Sequence, residues 1–468
     1  MTERELFTPP KPPSRPENAS VLTRWRLARQ NIFAALKPTL YRAWMAEVKT
    51  PFRNAYLVNQ PDLVKTALID RPDDFPKAEV IRRTLYDLLG DSVFVTNGDL
   101  WKRQRRMIDP AFAGGRLKEV FPAMLDAAET CVERLTPLAD GREVEMEFET
   151  SHAAADVIFR TLFSEPIDTE DAQAVFHAFR RYQRTAPVLS LLDIMNAPRW
   201  IPRPGRRKAR EEGRAIRALL RKYVNRRAAE IAMGDAPDDL ATKIMTTTDP
   251  VTGDRFDAEE MLDQVAIFFL AGHETSASAL AWTLYLLAND RRAQDRVAAE
   301  VHAALDDRRP EFGDLKRLSF TRNVFREALR LYPPVPMMVR ETIRDEQFRN
   351  RNLAKASMYI LSPWHLHRHS RIWPKPDQFD PDRWTNPEEK GPQTDAYMPF
   401  SAGPRVCTGA GFAMLEGVLM LALILRSFDF RPVDGRAPAP VTQLTVRSET
   451  GVWLSVQRRK SIIPPPPA

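Results

Sequence analysis

Two cysteines, Cys131 and Cys407, are all that 468 residues contain, which excludes a disulfide-stapled scaffold and a cysteine-based zinc finger and fits a reducing compartment. Glycine is also scarce, 18 against 39 prolines, so stiff, proline-punctuated connections are expected between elements rather than loose linkers. Long apolar runs are missing. The most hydrophobic stretches, 265–272 and 417–425, fall well short of the roughly 18 residues of a membrane-spanning helix. The first residues are polar and proline-rich where a signal peptide would be apolar, and a cytoplasmic protein is expected. No excess of one charge selects a nucleic-acid partner: 69 basic and 62 acidic residues, net +7, are interleaved along the chain.

What is present is an ordinary globular composition, 43% hydrophobic and 28% charged. The length exceeds that of a usual single domain, and composition does not decide between one large unit and several. Both ends are proline-rich, so residues 1–20 and 461–468 are expected to be extended, flexible and outside the core, leaving 21–460 as the folded body. Apolar residues at three- and four-residue spacing dominate from Leu117 to Arg330, with Cys131 on one such stripe as a small core residue. Strand-like runs are short: 56–58, 358–361 and 452–456. The expectation is a mainly α protein with a small β region. The basic segment 203–227 reads as a solvated helix face, with contact to a membrane surface or an acidic partner as the less favoured reading.

Four patterns carry chemistry. Cys407 stands between Gly403 and Gly409, just before an apolar helix at 411–425. A helix N-terminus, aided by Arg405, favours thiolate over thiol, the form that binds a metal or attacks an electrophile. Both uses are open at this point. The apolar segment 261–287 carries Ala271, Gly272, Glu274 and Thr275. Gly272 costs about 1 kcal/mol relative to alanine in a helix interior, which suggests that something flat approaches the backbone there. Thr275 can bond back to the carbonyl of Ala271 or release it, and Glu274 is then placed to relay protons. Glu327 and Arg330 form a helical i, i+3 pair, worth little by itself, ahead of a proline-rich turn and Arg340. Trp101 and Arg105 share a helix face.

Taken together, Phe400, Gly403, Arg405, Cys407 and Gly409 resemble the haem-binding loop of the cytochrome P450 family, and the resemblance runs from about Tyr56 to Val456 with every motif in order. It implies one large domain, mainly α with a small β region, closed around haem b. Cys407 is then the axial ligand, and Glu274 and Thr275 the oxygen-activating pair. Trp101, Arg105, Ala271, Arg340, His367, Phe400, Arg405 and Gly409 are expected to contact the cofactor, and Glu327, Arg330 and Arg383 to form a buried structural network. Phe94, Phe268, Met337, Val339 and Thr450 are pocket-wall candidates. The implied reaction is O2-dependent oxidation of a hydrophobic small molecule by a monomer. Electrons would come from a separate ferredoxin or flavodoxin with its NAD(P)H reductase, docking in part on Lys102, Arg103 and Arg106. One departure is Lys355-Ala356-Ser357, where the family usually has glycine at the middle position of a tight turn. A haem-thiolate isomerase, dehydratase or peroxygenase would not need Glu274 and Thr275. A cysteine nucleophile paired with one of the seven histidines would leave Glu327, Arg330 and Arg383 unexplained.

Overall fold

A computed structural model of the chain describes residues 6–16, 18–49, 53–185, 205–306, 308–385, 391–442 and 444–460. The proline-rich tail 461–468 and Trp200-Ile-Pro202 lie outside these residues.

The centre is the helix Ala258–Asn289, 32 residues long. Its start is fixed by a capping box: the Asp257 carboxylate accepts from the Glu260 amide at 2.8 Å, and the Glu260 carboxylate from the Asp257 amide at 3.1 Å. From Met261 onward it is apolar on nearly every side, as a helix sheathed by others must be. The helix Met146–Phe163, buried along almost its whole length, lies against it, and Gly114–Leu135 packs on that helix in turn. Cys131 is buried in Gly114–Leu135, as expected. The helix Ala410–Ser427 completes the core. Among the described residues it is the one helix long and apolar enough to cross a membrane, a length the run 417–425 alone did not show. In the fold, Phe412 and residues 416–425 are buried.

The β region draws on both ends of the sequence. Met45–Lys49, Asn54–Val58, Met358–Leu361 and Met338–Glu341 form one sheet in that order, with Asn54–Val58 and Met358–Leu361 parallel and the other pairs antiparallel. Trp453–Arg458 pairs with both Asp140–Glu145 and Phe428–Pro432, and Pro440–Thr442 forms a hairpin with Val446–Ser448. The turn at Lys355-Ala356-Ser357 is made without glycine, and Ala356 takes φ +64°. An L side chain is strained there.

The N-terminal expectation fails in one respect. Residues 6–16 form neither helix nor strand, but Pro9, Pro12 and Arg15 are buried and Phe7 packs edge-on against Tyr285. The Phe7 carbonyl accepts from the Phe379 amide at 2.9 Å, the Pro10 carbonyl accepts from the Tyr332 hydroxyl at 2.7 Å, and Lys11 pairs with Asp377. Proline supplies carbonyl acceptors and apolar rings without helix competition, so a proline-rich segment can dock as well as hang free.

The described part of the basic segment is the helix Arg206–Met233. Arg217 pairs with Asp263, Lys222 with Asp171, and buried Arg227 with Asp239. Much of its charge therefore serves to join neighbouring helices.

Candidate active site

Cys407 leaves the loop at the mouth of Ala410–Ser427, its amide bonded to the Phe400 carbonyl at 2.9 Å. Two residues give this loop its shape. Gly403 adopts φ +67°, and a Cβ on it would collide with the Leu68 carbonyl oxygen in the π-helical turn Thr66–Asp70. Ser401 takes φ +64° with a side chain. Gly409 is different, for its φ is −86° and, among the described residues, nothing lies within 4 Å of where a Cβ would stand. Neither strain nor a protein contact demands glycine there, and the face beside Cys407 is open.

The electrostatics of the thiol depart from the sequence-based expectation. Burial raises the Cys407 pKa, while the Gly409 amide, Arg105 and Lys77 draw it back without overcoming burial. The helix end and Arg405 do not make a free thiolate here, which weakens the nucleophile reading. A metal would have to displace the proton.

Around the cysteine stands a cluster of cations. Arg105 donates to the Val406 carbonyl at 2.8 Å and pairs with Asp109. The Arg405 guanidinium lies 4.0 Å from the centre of the Trp101 ring. Burial, and then Arg405, lowers Arg340 to about 9; burial, with Arg105 adding to it, lowers Arg405 to about 10. Sequence reasoning missed Lys77, which belongs to no motif. It is driven well below the usual lysine value by burial and then by Arg340, Arg405 and Arg105. Its ammonium donates to the Phe94 carbonyl and sits 3.9 Å from the Phe94 ring centre. Four cations crowded into a largely desolvated site call for anions. The two carboxylates of a haem have the chemistry to answer that, so the donor set fits the cofactor the sequence implies.

Ala271 and Thr275 lie on the central helix Ala258–Asn289. Ala271 is exposed on a helix that is otherwise mostly buried, and the Thr275 hydroxyl donates to the Ala271 carbonyl at 2.6 Å. Gly272 is not the approach point expected of it. A Cβ there would strike the Ile158 side chain, so its smallness admits the neighbouring helix. Glu274 turns away from Ala271 into a small polar cavity of about 10 Å³ lined in part by Gln183 and Arg447. The Thr445 hydroxyl donates to its Oε1 at 2.9 Å and Arg447 donates to Gln183 at 2.9 Å. Burial raises the Glu274 pKa, with Arg447, Thr445 and Gln183 opposing.

Four expected assignments need correction. His367 does not face the cation cluster: its Nδ1 lies 3.2 Å from the Arg330 carbonyl and its Nε2 accepts from the Met398 amide at 2.9 Å. Both ring nitrogens are consumed by backbone. Val339 is buried with Ala55, Ala78, Val80 and Met358, a packing role. Thr450 is exposed in the turn after Val446–Ser448, whereas Thr445 at the preceding turn reaches Glu274. The hairpin register, invisible in the sequence, selects one turn over the other. Finally, Arg103 and Arg106 are spoken for by Glu260 and Asp249 at 2.6 Å each, while exposed Lys102 has a loose pair with Asp73 at 3.7 Å. Arg103 and Arg106 thus pin the helix Gly98–Ile108 to its neighbours, while Lys102 stays on the surface.

Phe268 is half-buried and tilted against Phe112 at 5.6 Å, and Met337 and Phe94 are likewise half-buried. Glu327 and Arg330, both fully buried, form a bidentate pair at 2.8 and 2.9 Å, with Arg383 at 3.4 Å. Arg330 also donates to the carbonyls of His367, Pro376 and Gln378. Although burial alone would raise the Glu327 pKa, Arg330 and Arg383 carry it below the usual value.

The cytochrome P450 family profile matches residues 9–454. Over 455 residues, 93% of this chain and 95% of the other, the sequence is 32% identical to cyclooctat-9-en-7-ol 5-monooxygenase of Streptomyces melanosporofaciens. It is 30% identical to cyclooctatin synthase of the same organism over 90% of this chain and 91% of the other. It is 28% identical to the chloroplastic protein LUTEIN DEFICIENT 5 of Arabidopsis thaliana over 86% and 70%. With its fold, its cysteine loop and its buried Glu327–Arg330 pair in agreement, this chain belongs to the cytochrome P450 family of haem-thiolate monooxygenases, enzymes that oxidise small organic substrates with dioxygen.

Proposed function

We propose that this chain binds haem b through Cys407 and oxidises a hydrophobic, largely hydrocarbon substrate with electrons delivered by a separate ferredoxin or flavodoxin and its reductase. The observation that carries the reading is the crowd of cations around Cys407, buried Arg340 with half-buried Lys77, Arg405 and Arg105. A nucleophilic cysteine needs a base beside it, and His273, His365 and His367 turn ring nitrogens to Ser151, Ser362 and backbone instead.

When bound, the haem supplies the activation of dioxygen and the transfer of one oxygen atom. The protein's part is to hold and deliver. Trp101, Arg105, Lys77, Arg340 and Arg405 seat the carboxylates, Phe400 and Gly409 flank the ligand, and Ala271 leaves room on the central helix. Glu274, whose carboxyl burial holds above the usual carboxylate range, and Thr275 carry protons inward from the Arg447–Gln183 side. Glu274→Gln is expected to keep substrate binding while lowering kcat by roughly 10²-fold, read from single-turnover and steady-state rates with the same substrate.

Phe94, Phe268 and Met337 support an apolar pocket. The name of one Streptomyces relative, cyclooctat-9-en-7-ol 5-monooxygenase, makes unsaturated alcohols on hydrocarbon skeletons the first class to test. The scarcity of cysteine supports a cytoplasmic location. The deciding experiment is the carbon monoxide difference spectrum of the reduced protein. A thiolate-type band is expected, and a histidine-type spectrum or a colourless protein overturns the assignment of Cys407. Spin-shift titration with a panel of terpenoid alcohols, fatty acids and aromatics then identifies the substrate class.

A further inference from the structure

Asn97 stands immediately before the helix Gly98–Ile108, where an asparagine ordinarily accepts a hydrogen bond from an amide of the first turn. It makes no such bond. Its side-chain oxygen accepts instead from the Lys77 amide at 3.0 Å and from the Arg405 guanidinium at 2.8 Å, and its side-chain nitrogen donates to the Lys77 carbonyl at 3.0 Å. The Lys77 backbone in turn pairs with that of Arg340 through an isolated antiparallel bridge. A second nitrogen of Arg405 donates to the Thr96 carbonyl at 3.1 Å, so the whole turn before the helix is fastened to the cation cluster. One amide thus joins three cations that lie far apart in sequence.

The choice of an amide is informative. Three neighbouring cations repel one another and would relax apart unless something held them. Aspartate at this position would cap the helix as well as asparagine does. It would bind Arg405 more strongly too, but it would also satisfy the cations that a carboxylate ligand needs. A neutral amide holds them in place and leaves their charge available.

We propose that Asn97 is a positioning residue for the cofactor's carboxylates, fixing Lys77 and Arg405 so that their charge sets how tightly haem is retained and how easily it is reduced. The proposal rests on the haem reading above, and the carbon monoxide spectrum of the wild-type holoenzyme tests that reading separately.

The test compares wild-type holoenzyme with Asn97→Ser, Asn97→Asp and Asn97→Gln. Serine and aspartate preserve the capacity to cap, and glutamine keeps the amide but moves it by one methylene. The variants are expected to keep the wild-type carbon monoxide spectrum and to lose haem to an acceptor apoprotein about tenfold faster, the low end of what partners outside the first coordination sphere contribute. The midpoint potential should move negative, because cations that no longer cover the carboxylates leave more negative charge near the iron. The shift should be largest for aspartate, which adds a charge of its own. Wild-type haem loss and an unchanged potential in Asn97→Ser and Asn97→Gln would overturn the proposal, even if thermal stability fell. Should the aspartate variant fail to fold, serine and glutamine still decide.

Discussion

Burial lifts the Glu416 carboxyl to about 8, with the Ser276 hydroxyl drawing it back across a 2.6 Å contact, so the folded protein holds it as a neutral acid at pH 7. Its folded pKa lies above its unfolded value, and the sign follows. Below the unfolded carboxylate range both states bind the proton and no penalty arises. As pH rises toward 8 the unfolded state gives up its proton and the folded state does not, so stability falls across that window. Glu416→Gln should flatten that fall, raising stability at pH 8 relative to wild type by on the order of 3 kcal/mol and leaving it nearly unchanged at pH 4. Denaturant titrations of both proteins at the two pH values read this directly, and parallel pH dependences would refute it. At this scale the sequence was legible where chemistry demands a residue type. Thr275 bonds back to the Ala271 carbonyl and Glu327 pairs with Arg330, as their spacing implies. It was illegible where a side chain's direction decides: Lys77 belongs to no motif, and His367 spends both ring nitrogens on backbone.

Among the elements, the turn at Ala356 and the helix Ser319–Leu331 make opposite cases. Ala356 at φ +64° accepts a conformation that glycine adopts freely. Ala356→Gly should stabilise the protein by roughly 0.5 kcal/mol, since the relief of about 1 kcal/mol of left-handed strain exceeds glycine's extra unfolded entropy. A midpoint shift in urea toward higher concentration is the expected reading. The helix Ser319–Leu331 is fixed through Arg330 to three carbonyls of a distant loop. Arg330→Met leaves Glu327 charged and buried without its main partner, and a loss of about 3–5 kcal/mol is expected, visible as poor haem incorporation and a lowered thermal midpoint. Element existence was readable from periodicity, as at 358–361 and in the long central helix. Pairing was not. The parallel register of Asn54–Val58 on Met358–Leu361 and the choice between the turns at Thr445 and Thr450 depend on contacts between residues hundreds of positions apart.

For the whole molecule, the N-terminal segment 6–16 acts as a strap across elements from the far end of the chain. It touches Tyr285, Tyr332, Asp377 and Phe379. Removing residues 1–12 should lower the melting temperature by on the order of 2–4 °C, and Tyr332→Phe should lose part of that alone. A scanning calorimetry trace of the shortened protein that overlays the wild type would show the strap to be idle. Composition gave no hint of docking here, because prolines mark loose and fastened segments alike. One domain rather than several was readable only from motifs spread over nearly the full length.

Gly403 rests directly on the backbone of residue Leu68, so the loop bearing Cys407 is seated on a support laid down near the other end of the polypeptide. During synthesis that support emerges well before the cysteine, which lies 339 residues further along (407 − 68), and must wait for it. Cofactor capture therefore waits until both parts have been made. Until then the apolar helix that follows the cysteine has no finished core to enter, and a cell that makes this protein faster than it supplies haem should accumulate aggregate rather than soluble apoprotein.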